Sequence, residues 1–171
     1  MKSAQEDAYL EFVSARAKAL YRSAYTLAAG DAHLAEDLVQ ETFSRIYVHW
    51  NRVARADSPA AYAQTVLVRT FLTLRRRRST TERPTGTGTV PDSADVSGRD
   101  CALRITLTTA LGQLPPRDRA VLLLRYWEGH TIEETARTLK LSNSAVRSQG
   151  TRALGKLRAL LGETLSDLVP H

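Results

Sequence analysis

The last third of the chain carries polar and basic side chains at a spacing that suits contact with nucleic acid. Thr131 and Glu134 form the S/T-x-x-E pattern of a capping box, which predicts that a helix begins there. A turn at residues 140–142 separates it from a longer helix, which we predict to run from Asn143 to about Leu161. A short helix, a tight turn and a longer basic helix make a helix-turn-helix, whose second helix enters the DNA major groove.

The exposed side of that second helix is where we expect the DNA contacts. Short polar side chains near a helix start can reach phosphates or base edges, and arginine forks match guanine. Each arginine alone would fit a solvated helix face equally well, but the combination of capping box, turn and basic helix favours DNA binding. The expected contact residues are Asn143, Ser144, Arg147, Ser148, Thr151, Arg152 and Lys156.

The basic charge of the chain is confined to two separate blocks. The net charge is −2 for residues 1–50 and +6 for residues 51–83, then −2 for residues 84–100 and +4 for residues 101–171. Two separate contacts with a polyanion would produce this pattern.

The apolar residues of the first half recur at helical spacing. We predict one helix that ends at Gly30, a second that Asp31 caps and that extends to Trp50, and a third that Pro59 opens. The interval at residues 51–58 is predicted to be a polar loop. In the second half, we predict helices from Cys101 to residue 111 and from residue 116 to 127.

Residues 79–100 are rich in Ser, Thr, Gly, Pro and Asp, a composition typical of a flexible linker. The sequence therefore predicts an all-α fold with two small helical domains, at residues 1–78 and 101–171, joined by that linker. The second domain would contain the helix-turn-helix.

Catalytic motifs are absent from the sequence. It has no phosphate-binding glycine loop and no HExxH, and its four histidines lack metal-ligand spacing. We therefore expect no enzyme activity, no cofactor and no metal. Cys101 is the only cysteine, and no apolar run approaches the length of a membrane span. These features predict a cytoplasmic protein that does not contact membranes.

Motifs in both halves resemble one known family. LPPRDRAVLLLRYW at residues 114–127, TIEETA at 131–136 and SAVRS at 144–148 resemble the fourth conserved region of sigma-70 factors. AEDLVQETF at residues 35–43 is similar to the second conserved region. Both regions occur in the family's order with a linker between them, so the chain is identified as resembling the extracytoplasmic-function (ECF) group, and within it the SigE-like subfamily of actinobacteria.

The resemblance implies a role in transcription initiation at promoters. The partners would be core RNA polymerase, through the coiled coil and flap of its largest subunits, promoter DNA and, as in many relatives, an anti-sigma factor. The polymerase-binding face would consist of Glu36, Asp37, Gln40, Glu41 and Arg45. The second basic helix would contact the −35 element.

The end of the first half would bind the −10 element and help to separate its strands. Melting requires surfaces that receive an unstacked base and cations that hold single-stranded phosphates. The expected residues are Arg52, Arg55, Tyr62, Arg69, Arg75 and Arg76, whereas Phe71 and Trp50 are expected in the core. Many relatives carry asparagine where this chain has Arg69.

One alternative remains from the residues alone. An autonomous helix-turn-helix regulator would use the first half as a dimerisation or ligand-binding module. The segment at residues 36–43 favours the sigma factor.

Overall fold

The fold is known from a computed structural model, which describes residues 2–81 and 98–168. No strand occurs within these ranges, and the all-α fold class is confirmed. The helices of the first half are α1 (Lys2–Leu27), α2 (Ala32–Val48), α3 (Trp50–Ala54) and α4 (Pro59–Thr81). Those of the second half are α5 (Gly98–Gly112), α6 (Pro116–Leu122), α7 (Ile132–Leu139) and α8 (Asn143–Leu168).

The helix starts lie where capping chemistry predicts them. A side-chain oxygen of Asp31 accepts a hydrogen bond from the backbone N–H of Leu34 at 3.1 Å. Thr131 accepts from the N–H of Glu134 at 3.0 Å, and the Glu134 carboxylate accepts from the N–H of Thr131 at 2.8 Å. These bonds satisfy backbone donors that have no partner inside the helix. The predicted capping box is confirmed.

Two segments differ from the sequence prediction. The interval predicted as a polar loop contains the short helix α3, because the side chain of Val53 is fully buried and anchors it. Helix α6 does not continue regularly to Trp127 but widens into a π turn at Leu123–Trp127, which ends before Gly129. Gly129 has a φ of +66°, a backbone conformation that favours glycine.

Helix α8 is interrupted at Gly162, where φ is +47° and ψ is −141°. These angles are not helical, so the regular helix ends close to the predicted position at Leu161. The predicted linker at residues 79–100 overlaps the end of α4 and the start of α5, and its remainder lies outside the described residues.

One hydrophobic core runs through both halves of the chain. Buried Leu67 and Phe71 of α4 belong to the same apolar cluster as Val121 of α6, Leu124 of the π turn and Leu139 of α7. A second, smaller cluster lies between α5, α6 and α8. We call this packing of the second half against α1 and α4 the closed arrangement.

Candidate nucleic-acid and polymerase-binding surfaces

The helix-turn-helix consists of α7, a turn and α8. Ala136 lies buried on the inner side of α7, and Val146 and Leu157 lie buried on α8. Lys140 adopts the left-handed conformation (φ 56°, ψ 47°), which reverses the chain direction after α7. The hydroxyl of Ser142 then accepts from the N–H of Ala145 at 3.1 Å and caps the start of α8. This packing holds the first turns of α8 at the protein surface.

All seven residues expected to contact the −35 element are exposed on α8. Within the part of the chain that the structure describes, six of them form no side-chain hydrogen bond or ion pair with another helix. Lys156 differs, because its ammonium lies 3.3 Å from a carboxylate oxygen of Asp118 on α6. Asp118 also accepts a hydrogen bond from the side chain of Gln149 at 3.2 Å. Lys156 therefore lies at the edge of the exposed face, where α8 meets α6.

Gly150 lies where α8 packs against α6. It is buried on the side of α8 that packs on α6, and a β-carbon there would lie 3.6 Å from a methyl group of Val121. The glycine therefore faces α6 and the apolar core, away from the exposed side of α8.

The proposed polymerase-binding face lies on α2. Leu38 and Phe43 are buried, as predicted, together with Ile46. The five expected docking residues project from the other side and are all exposed. Glu41 and Arg45 form an ion pair of 2.8 Å in which both side chains are about half exposed. Exposed pairs of this kind contribute little stability, so these charges are available to a partner.

The residues expected at the −10 element are divided between exposed positions on α3 and α4 and a cleft beside α7. Arg52 and Arg55 are exposed at α3, and Arg76 is exposed near the end of α4. Arg75 is only partly exposed, and its positive charge helps to lower the pKa of the Arg119 guanidinium. Phe71 is fully buried, which confirms its expected place in the core. Trp50 is partly buried and packs against the rings of Tyr9 and Phe12 at centroid distances of 5.6 and 5.4 Å.

Tyr62 and Arg69 lie in a cleft between the two halves. The cleft has a volume of about 650 Å³. The Arg69 guanidinium donates hydrogen bonds to the backbone carbonyls of Thr138, at 3.0 Å, and Arg137, at 3.1 Å. Arg69, one of the side chains expected at the −10 element, therefore contacts α7, the first helix of the helix-turn-helix.

Sequence reasoning missed an exposed apolar patch at the end of α2. Tyr47 is 53% exposed and Val48 is 74% exposed. Together with Trp50 they border a hollow of about 340 Å³ that also includes Gln5 and Asn51. The helical periodicity of α2 could have shown that Tyr47 and Val48 lie off its buried side.

These features define a class of protein: an all-helical protein in which a helix-turn-helix follows a helical bundle, packs against it, and leaves one charged helix face of the bundle exposed. Residues 12–81 match the family model described as Sigma-70 region 2, and residues 110–159 match that of Sigma-70, region 4. The match to region 2 does not favour the alternative of an autonomous regulator.

Curated relatives give the same assignment. The chain is 38% identical over 149 residues to an RNA polymerase sigma-E factor of Streptomyces avermitilis, covering 86% of this chain and 82% of the relative. It is 31% identical over 152 residues to the ECF RNA polymerase sigma factor SigL of Mycobacterium tuberculosis, covering 86% and 85%. The chain belongs to the sigma-70 family of RNA polymerase sigma factors, in the ECF group. It is thus a factor that directs core polymerase to promoters and assists their melting.

Solved structures share the fold. The sigma factor RpoE of Bartonella quintana, crystallised with the anti-sigma factor NepR, aligns with a TM-score of 0.72 at 21% identity, over 90% of this chain and 96% of that one. CnrH, in complex with the cytosolic domain of CnrY, aligns with a TM-score of 0.62 at 23% identity, over 91% and 88%. Within the residues that the structure describes, no helix has the length and apolarity needed to cross a membrane.

Proposed function

We propose that the exposed side of α2 binds core polymerase and that the start of α8 binds the −35 element. The main support for this assignment is that the buried and the exposed residues of α2 lie on opposite sides of the helix. Leu38 and Phe43 hold the helix in the core, so the charges of Asp37 and Glu41 serve no packing role. A surface that meets a coiled coil needs such fixed charges, because complementary charge sets orientation and association rate.

The −10 element is proposed to bind the surface formed by α3 and the exposed part of α4. Arg52 and Arg55 supply cations beside the start of α4, and Tyr62 supplies an aromatic ring at the mouth of the cleft. Unstacking a base pair costs a few kcal/mol, so several such contacts must act together.

The remaining assignments follow from the family. We propose that the chain carries out no catalysis itself, that the polymerase supplies the chemistry, and that the protein works in the cytoplasm. The two domains are proposed to act as the units of promoter binding, one on each side of residues 79–100. An anti-sigma factor is a further proposed partner, because the structurally similar sigma factor RpoE of Bartonella quintana was crystallised with the anti-sigma factor NepR.

Charge reversal tests the docking face. We expect Asp37→Lys combined with Glu41→Lys to weaken binding to core polymerase at least tenfold in a competition assay, while the helical circular dichroism stays unchanged. Asp7→Lys, a reversal of one exposed carboxylate on α1, is the control and should leave the affinity within twofold. Equal affinity of the double variant and the unmodified protein would refute the docking face.

A further inference from the structure

Asp118, in the first turn of α6, binds two side chains of α8 at once. One carboxylate oxygen accepts a hydrogen bond from the side-chain amide of Gln149 at 3.2 Å, and the other lies 3.3 Å from the ammonium of Lys156. The Asp118 side chain is only 10% exposed. An ion pair with one buried member is screened less by salt than a pair in which both members are exposed. We call these three residues the Asp118 clamp.

The two partners of Asp118 lie about two turns apart on the same side of α8. Arg152 lies between them, three residues after Gln149 and four residues before Lys156. Residues at these spacings are neighbours on a helix surface. Arg152 is exposed and is one of the two arginines expected to contact the −35 element. The clamp therefore holds the stretch of α8 that carries this arginine.

The packed side of α8 has little side chain in its middle. Gly150 has none and Ala153 has only a methyl group, and both residues are buried. Interlocking side chains set the orientation of two packed helices, so a stretch of small residues restricts the rotation of α8 only weakly. Hydrogen bonds depend on direction, and the two contacts of Asp118 supply the restriction that small residues do not.

We propose that Asp118 is a positioning residue for recognition of the −35 element, because it holds Gln149 and Lys156 so that α8 presents Arg152 to the bases in one orientation. This inference rests on the proposed binding of the −35 element by α8. An arginine that reads guanine must meet two acceptors at the same time, so its contribution depends on the orientation of its helix.

The clamp also gives Lys156 a different role from the one expected from the sequence. Lys156 lies about 20 Å along the axis of α8 from Asn143 at 1.5 Å per residue, whereas the first residues of such a helix contact the bases. Its ammonium is held against α6 by Asp118. Lys156 therefore acts through the position of α8, and its charge serves Asp118 instead of a phosphate.

The first test measures the preference for each base pair of the −35 element. Holoenzyme assembled from core polymerase and each full-length variant binds a promoter duplex, found by start-site mapping, and the same duplex with single −35 substitutions. A good bidentate contact contributes a preference of about 5-fold to 150-fold. Asp118→Ala should lower the preference about fivefold at the base pair that Arg152→Ala identifies, and Asp118→Asn, which keeps an acceptor, should fall between Asp118→Ala and the parent.

A preference in Asp118→Ala equal to that of the parent would overturn the positioning role. If Arg152→Ala left every preference unchanged, the proposed recognition side of α8 would itself be wrong, so the two failures are distinguishable. Ile46→Val is the control for stability, because it removes one methyl group from the core of α2. It should lower the melting temperature and leave every preference unchanged, and an equal loss of preference in Ile46→Val and Asp118→Ala would also overturn the positioning role.

The second test is the dependence of promoter binding on salt. A lysine that binds a phosphate contributes about one unit to the slope of the logarithm of the binding constant against the logarithm of the salt concentration. Lys156→Ala should leave this slope unchanged and lower the same base preference as Asp118→Ala. The double variant should lose no more preference than Asp118→Ala alone, because both residues act in one contact. A slope shallower by about one unit in Lys156→Ala would overturn the clamp.

Discussion

Replacing Gly150 by alanine is expected to stabilise the protein, although the residue is buried. Glycine in the middle of a helix is less stable than alanine by about 0.5–1 kcal/mol. The added β-carbon would lie 3.6 Å from Val121, an ordinary van der Waals distance, so no neighbour has to move. The expected gain is about 1 kcal/mol, which in a protein of this size raises the melting temperature by about 2–4 °C.

Two other glycines provide matched comparisons. Gly155 lies on the same helix with nothing within 4 Å of a β-carbon, so Gly155→Ala should gain about 0.5–1 kcal/mol from helix propensity alone. Gly129 also has open space around it, but its φ is +66°, so Gly129→Ala should lose about 1–2 kcal/mol. The series therefore separates backbone strain from packing.

The assay is thermal unfolding followed by circular dichroism. Because α6 leaves room for a β-carbon at this position, Gly150→Ala should raise the melting temperature and leave promoter-dependent transcription unchanged. A fall in melting temperature would mean that α8 approaches α6 more closely than the structure indicates. A loss of transcription at full stability would mean that Gly150 faces DNA after all.

Further predictions concern the second half. Arg147→Ala and Arg152→Ala should each weaken promoter binding. Where the lost contact is to a phosphate, the slope of the logarithm of the binding constant against the logarithm of the salt concentration should become shallower by about one unit. Unchanged promoter binding by both variants would refute the placement of the DNA-binding side on α8. Thr131→Ala should cost about 1 kcal/mol in thermal unfolding, because it removes the cap of α7. The hydrogen bond from the Thr131 backbone holds the pKa of Glu134 below its ordinary value of 4.5. The ionised Glu134 carboxylate should therefore stabilise the protein above pH 4.5, and this stabilisation should be lost as the pH falls through the lowered pKa of the folded state. A melting temperature that depends on pH equally in Glu134→Gln would contradict this. Arg119→Met should raise the free energy of unfolding by about 1 kcal/mol, because it removes a buried charge with unpaired donors, and a loss of stability would show that the guanidinium is better compensated.

Local chemistry made much of the fold predictable. The caps at Asp31, Thr131 and Ser142 bind backbone groups within three residues, so their signal lies in a short stretch of sequence. The burial of Phe71 and Leu38 followed from helical periodicity. The exposure of the α2 and α8 faces followed from the same pattern.

The packing between the two halves was not predictable in this way. Arg69 binds main-chain carbonyls, which every residue has, so no residue type at positions 137 and 138 signals the contact. Ser23, Gln64 and Glu128 are ordinary polar residues that are far apart in the chain. Helix α3 was missed because polar residues surround its single buried anchor, Val53.

In vitro transcription with purified core polymerase, followed by mapping of the start sites, tests the central claim most directly. We expect the added protein to create new start sites, and we expect Arg147→Ala and the Asp37→Lys, Glu41→Lys double variant to lose them. Start sites that are identical with and without the protein would contradict the account.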